Sequence, residues 1–174
     1  MKRRNVLHGL VAFATLPLLP ACSRAESGSD TVAEASVKAL DMPASAWRDR
    51  VTPAAWRVLF KEDTERAFSS PLDKLYDPGT YICAACYLPI FDGDAKFDSG
   101  TGWPSFTHPI AGHYRTRKDF RLIWPRTEYH CARCGGHQGH VFDDGPPPRG
   151  TRWCNNGLAL VFVPEGQALP ALRS

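Results

Sequence analysis

The sequence predicts a mainly β fold, an antiparallel β domain preceded by short N-terminal helices. Three observations carry this. Helical periodicity is confined to the stretch before Pro71. Beyond it, short apolar stretches alternate with Gly, Pro and Asp turns. Two C-x-x-C pairs are set among those stretches. A chain of 174 residues, 43% hydrophobic and 22% charged, supports one domain with a sizeable core. The composition excludes collagen, coiled coil, long disorder and a polytopic membrane protein.

The first residues read as an address. Lys2, Arg3 and Arg4 are followed by an apolar run from Val6 to Ala21, broken by His8, Gly9, Pro17 and Pro20. A bilayer span needs about 20 unbroken apolar residues, so residues 1–21 read as a secretory signal. Arg3-Arg4-Asn5-Val6-Leu7 looks like a twin-arginine export signal. Leu19-Pro20-Ala21-Cys22 resembles a bacterial lipobox with an unusual Pro20. The expectation is an exported protein of the periplasm or cell envelope, lipid-anchored to the membrane through Cys22. The formal charge of +3 is matched by Lys2, Arg3 and Arg4 alone, so it concerns export and makes no case for nucleic acid.

Residues 22–42 are rich in Ser, Ala, Glu, Gly and Asp, with no aromatic residue, and are expected to form a flexible tether. A helix from Thr31 to Leu40 is the alternative that the Ala and Glu content permits. The folded domain is expected over 43–174. Ser45 is a candidate cap for a short helix carrying Trp47 and Val51. Thr52-Pro53 places an N-cap before Pro at the first helical position, and Trp56, Leu59 and Phe60 fall on one face of the helix that follows. These aromatics read as core. Strands are expected at Thr80–Cys83, Lys96–Asp98, Thr127–Cys131, His140–Asp143, Thr151–Cys154 and Leu158–Val163. The last is almost wholly apolar, as a central strand would be.

Cys83-Ala-Ala-Cys86 and Cys131-Ala-Arg-Cys134 are separated by 44 residues. Two tight turns, each offering two thiolates, complete a tetrahedral sulfur site for one structural Zn²⁺. Soft ligands without carboxylates argue against Mg²⁺ or Ca²⁺. Disulfides, or one redox-active pair, are the rival arrangement, which an oxidising compartment favours. Against it, a redox C-x-x-C normally opens a helix in a βαβ unit, and no such unit is visible.

Cys154 stands apart in Arg152-Trp153-Cys154-Asn155-Asn156. An unpaired Cys in an exported protein invites a reactive role, with Arg152 and a nearby His favouring the thiolate. Taken alone, it fits an inert buried Cys on a strand better. His137 and His140 are spaced i, i+3, but Gly135, Gly136 and Gly139 disfavour a helix, so acid–base work is preferred to metal ligation. His108, His113 and His130 are expected in surface or satisfied roles. In Phe97–Phe106, Gly100 and Gly102 let the backbone turn tightly and present Trp103. That ring is either a core plug or the wall of a small pocket suited to a methyl or sulfur group.

Together these pieces resemble the methionine sulfoxide reductase type B family over about Ala44 to Pro164. The resemblance rests on the two C-x-x-C pairs, Phe97–Phe106, His137–Phe142, Asp144-Gly145-Pro146 and Arg152–Asn156. It implies two antiparallel sheets with peripheral helices, a structural zinc, and thiol-dependent reduction of the R epimer of methionine sulfoxide in peptides and proteins. It implies Cys154 as nucleophile, with His137 and His140 binding the sulfoxide oxygen and handling its proton, and Asn156 beside the nucleophile. Trp103 would receive the substrate methyl group, and Phe142 would line the same pocket. Glu128 would lie near the substrate, with Asp144 and Arg152 in support. A thioredoxin-like protein or another external thiol would act as reductant. The chain departs from the family in two places. Thr101 stands where many members carry a resolving Cys, and Phe120–Pro125 replaces a Gly-Met-rich stretch. Two other classes stay open: a zinc-stabilised binding module, and a thiol–disulfide oxidoreductase with a free C-x-x-C.

Overall fold

The computed structural model describes residues 37–121 and 123–174. The signal segment 1–21, Cys22 and most of the tether lie outside the described residues. At the end of the tether, Val37, Leu40 and Met42 pack against the core, and the Leu40 amide donates to the Arg133 carbonyl at 2.7 Å.

Ala44–Trp47 form one 3₁₀ turn entered from Pro43, whose φ of −67° suits the entry. Ser45 lies inside that turn and caps nothing, and Val51 lies beyond it. Trp47 is fully buried. Helix α1 (Pro53–Lys61) has the expected start, with the Thr52 hydroxyl accepting from the Ala55 amide at 3.2 Å and Pro53 at the first position. Its buried face carries Ala55, Trp56, Val58 and Leu59. It packs on the strand His137–Phe142 and on the 3₁₀ turn Gly157–Ala159. Glu62 ends it in the left-handed region at φ 55°.

Among the described residues nine strands follow: β1 (Gly79–Cys83), β2 (Pro89–Asp92), β3 (Lys96–Phe97), β4 (Ser105–Phe106), β5 (Tyr114–Asp119), β6 (Arg126–Cys131), β7 (His137–Phe142), β8 (Arg152–Asn155) and β9 (Leu160–Pro164). They form two antiparallel sheets, in the orders β2–β1–β9 and β3–β4–β8–β7–β6–β5. The expected two-sheet, mainly β architecture is the observed one. β9 is an edge strand, not a central one. Its run begins as a 3₁₀ turn at Gly157–Ala159, and Val161 is exposed. The central strand of the small sheet is β1.

The sheets meet through aromatic side chains. Phe91 of β2 stacks on Phe106 of β4 at 3.9 Å, and Tyr81 meets Phe106 edge-on at 5.0 Å. Tyr129 and Trp153 continue the cluster at 4.9 Å on the same side of the large sheet. Strand alternation therefore turns the residues between them to the opposite face. That face carries the polar and reactive groups.

Candidate active site

Five side chains stand in one row across the large sheet. Ser105 of β4 is opposite Cys154 of β8, Cys154 opposite His140 of β7, His140 opposite Glu128 of β6, and Glu128 opposite Arg117 of β5. Directly opposed residues share a face and bring their side chains into reach. His137 should lie on the other face, three residues from His140. It does not, because the β6–β7 register slips by one: Tyr129 pairs with Gly139, yet His130 pairs with His137. Gln138 is the extra residue of a β-bulge. The bulge returns His137 to the face of His140, and the two rings lie 5.3 Å apart.

Each imidazole is held by a carboxylate. His137 Nδ1 meets Glu128 Oε1 at 2.7 Å, with both side chains buried, and Glu128 also binds Arg117. Burial alone would raise the Glu128 carboxyl; His137 and Arg117 outweigh it and pull it down to about 2. His140 Nε2 meets Asp119 Oδ2 at 2.8 Å, and Asp119 also takes Arg126 at 2.6 Å. The Arg121 amide, at 2.9 Å from Asp119 Oδ1, leads in holding that carboxyl well below its usual range; His140 and Arg126 add to this. An ionised carboxylate only accepts. His137 therefore donates from Nδ1, and His140 donates from Nε2, leaving the His140 Nδ1 free. Burial pushes the His140 pKa down and Asp119 restores only part of it, so the ring is neutral near pH 7.

Cys154 is partly buried. Burial pushes its thiol up, while the Arg152 guanidinium beside it pulls the other way. Arg152 is buried, bonded to Asp144 through two oxygens at 2.8 and 2.9 Å, and lies 4.4 Å from the centre of the Phe142 ring. The Gly139 backbone touches β8: a Cβ there would fall 1.8 Å from the Cys154 carbonyl oxygen.

Cys154, His140, Phe142, Asn156 and Trp103 line one small cavity of about 120 Å³. His137, Glu128, Arg152 and Asp144 stand behind it as supports. Trp103 follows Gly102, whose φ of +85° and contact with the Phe68 ring exclude a side chain there. The Trp103 Nε1–H donates to the Glu65 carbonyl at 3.1 Å. Asn156 is held by backbone: its Oδ1 accepts from the Glu65 amide at 3.1 Å and its Nδ2 donates to the Gln138 carbonyl at 3.2 Å. A larger cleft, about 760 Å³ beside Thr52, Tyr87 and Phe162, lies elsewhere and contains neither Cys154 nor a histidine. The smaller cavity is the candidate site because a thiol and a carboxylate-held imidazole converge only there among the described residues.

Sequence reasoning missed Asp119, Arg117, Arg126 and Glu65. None sits in a local motif, and the first three gain meaning only once β5 pairs with β6. Glu65 is buried and caps the turn after β8, taking the Gly157 amide and, at 3.0 Å, the Leu158 amide. Of the remaining histidines, His113 Nδ1 meets the Pro89 carbonyl at 2.7 Å and His108 Nδ1 meets Thr107 at 2.9 Å. His130 Nδ1 has no partner among the described residues.

The four other described cysteines converge away from this cavity. The sulfurs of Cys83, Cys86, Cys131 and Cys134 lie within 4.8 Å of one another, with Cys83–Cys134 at 3.6 Å and Cys86–Cys131 at 3.5 Å. Disulfide sulfurs would be ~2.05 Å apart. Four thiolates around Zn²⁺, with Zn–S bonds of ~2.3 Å, give edges of ~3.8 Å. Each pair sits on a tight turn followed by a residue in the left-handed region, Tyr87 at φ 64° and Gly135 at φ 71°. The residues therefore fit a structural zinc that ties β1 to β6. All-sulfur, closed coordination supplies folding energy and no reactive position.

No second thiol stands beside Cys154 among the described residues. Thr101 Oγ1 bonds Ser99 Oγ at 2.8 Å, and Ser99 Oγ bonds Ser105 Oγ at 2.8 Å, so hydroxyls fill the side of the site toward Ser105.

The antiparallel two-sheet fold carries a four-thiol cluster that fits a metal and, among the described residues, one further thiol opposite a carboxylate-held imidazole, an arrangement that fits an oxidoreductase. The SelR domain model matches residues 51–164, and the chain belongs to that family. It is similar to the peptide methionine sulfoxide reductase MsrB of Agrobacterium fabrum, 47% identical over 119 residues, covering 68% of this chain and 88% of the relative. The protein of the same name from Leptospira interrogans is 47% identical over 120 residues, with 68% and 92% covered. That from Thiobacillus denitrificans is 48% identical over 120 residues, with 68% and 91% covered.

Proposed function

We propose that the protein reduces the R epimer of peptide and protein methionine sulfoxide to methionine, with Cys154 as nucleophile. The observation that carries the reading is the register row in which Cys154 faces His140, beside the Trp103 and Phe142 walls. Family membership supports the reaction class.

The sulfoxide methyl lies against Trp103, with the oxygen toward His140 and His137. Neutral His140, its Nε2–H committed to Asp119, accepts the Cys154 proton at Nδ1 and delivers it to the sulfoxide oxygen. Protonation makes the sulfur–oxygen bond labile. The Cys154 Sγ bonds to that oxygen as the substrate S–O bond breaks. The hydroxyl ends on Cys154 as a sulfenic acid and methionine leaves, so the cysteine sulfur is oxidised by two electrons and the substrate sulfur reduced by two. Arg152 stabilises negative charge on Sγ during the transfer. An external thiol then condenses with the sulfenic acid, releasing water and leaving a mixed disulfide. A second thiol frees Cys154. A thioredoxin-like dithiol protein would supply both thiols. Zinc, held by Cys83, Cys86, Cys131 and Cys134, would keep the sheets in place.

The N-terminal sequence supports export to the cell envelope and attachment through a lipid on Cys22. Cell fractionation of wild type and Cys22→Ala tests this; equal recovery of both in the cytoplasm would refute it. Turnover of separated sulfoxide epimers with dithiothreitol tests the activity. Consumption of the R epimer alone is expected, and consumption of neither would overturn the reading.

A further inference from the structure

Phe120, Ile123 and Trp124 are the most exposed large apolar residues described, at 74%, 93% and 80%. All three lie in the turn between β5 and β6. Exposed apolar side chains gathered in one place mark an interaction surface. The base of the turn is fixed: Asp119 and Arg126 face each other across the strands and form an ion pair at 2.6 Å, and the Arg121 amide closes onto Asp119 at 2.9 Å. Arg121 is drawn aside to Glu62 at 2.7 Å, which leaves the turn with an apolar face.

The same two base residues belong to the active site. Asp119 holds His140, and Arg126 lines the cavity beside Cys154. Phe120 adjoins Asp119 and Trp124 is two residues from Arg126, so their Cα atoms lie within about 4 and 7 Å of those residues. The cavity, about 120 Å³, is well below the several hundred Å³ that a drug-sized ligand fills. It accepts the end of one side chain. The polypeptide on either side of that residue must run outside, over the rim where the turn stands.

We propose that this turn is a docking surface for extended, apolar polypeptide flanking the oxidised methionine. The inference rests on the function proposed above and deepens it.

The test uses the double variant Ile123→Ser/Trp124→Ser, whose side chains are exposed and contribute nothing to the core. Three substrates are compared: N-acetyl-methionine R-sulfoxide, a nonapeptide with the R-sulfoxide flanked by Leu and Phe, and one flanked by Gly and Ser. Wild type is expected to favour the apolar peptide by about tenfold or more in kcat/KM, the worth of covering one or two apolar side chains. The variant should lose that preference while keeping N-acetyl-methionine sulfoxide turnover within about twofold. Absence of a wild-type preference, or its persistence in the variant, overturns the proposal. Equal losses on all three substrates overturn it too, since the turn would then act through Asp119 and His140. Binding to phosphatidylglycerol vesicles that the variant alone loses, with peptide preference intact, would assign the turn to a lipid surface instead. Failure of wild type on N-acetyl-methionine sulfoxide would sink the functional reading itself.

Discussion

His140 and Cys154 face each other directly across the β7–β8 ladder, and Asp119 fixes the His140 ring through Nε2 at 2.8 Å. The sheet sets the distance between thiol and imidazole, and the carboxylate sets which imidazole nitrogen carries hydrogen. Both His140 and Cys154 sit on strands. A mobile thiol–imidazole pair would have to be ordered in every turnover, whereas this one is ordered by folding.

Asp119→Asn is therefore expected to lower kcat by about ten- to a hundredfold, with a smaller effect on KM, because an amide does not enforce the Nε2–H form. Nitrogen NMR of the imidazoles should show His140 in a mixture of tautomers in the variant and a single one in wild type. An unchanged kcat with an unchanged tautomer would remove Asp119 from the account.

Gly139→Ala tests the ladder itself. The added methyl would fall 1.8 Å from the Cys154 carbonyl oxygen, so β7 and β8 must separate. A loss of about 1–3 kcal/mol in denaturant stability is expected, as for overpacking, together with loss of activity. Wild-type stability would mean that the register pairing Cys154 with His140 is not kept in solution.

Zinc removal should unfold the β domain rather than merely inactivate it. A strong chelator, or Cys86→Ser, is expected to release about one zinc per chain and to abolish the cooperative thermal transition. A chelated protein that retains the transition would contradict a structural metal at these four cysteines.

The thiol–guanidinium pairing makes a prediction about pH. Burial places the Cys154 pKa above the ordinary thiol value, and Arg152 counters it. Alkylation of Cys154 by iodoacetamide should thus rise with pH through a midpoint above the usual ~8.5. Arg152→Ala removes the cation that favours the thiolate and should move that midpoint higher still. A midpoint that stays in place would mean that the guanidinium charge does not reach Sγ.

Much of this was legible before any coordinates. The Thr52-Pro53 start of α1, the four-cysteine cluster and the strands bearing His140 and Cys154 follow from local chemistry. β5 was not legible. Tyr-Arg-Thr-Arg-Lys-Asp carries no apolar alternation, and its strand character comes from pairing with β6. Asp119 was invisible for the same reason. The joint placement of His137 and His140 needed the bulge at Gln138, which no spacing rule announces. The apolar run at Leu158–Val163 misled in the other direction: its first two residues belong to a turn, and the rest form an edge strand.

The central claim is oxygen transfer from substrate sulfur to Cys154. It is tested most directly by mixing reduced protein with one equivalent of a peptide R-sulfoxide, without any thiol, and analysing protein and peptide by mass spectrometry. The expected result is one methionine peptide formed per chain and a single added oxygen on Cys154, trapped as its dimedone adduct and absent in Cys154→Ser. Methionine formed with no modification of Cys154, or with Cys154 in an internal disulfide, would contradict it.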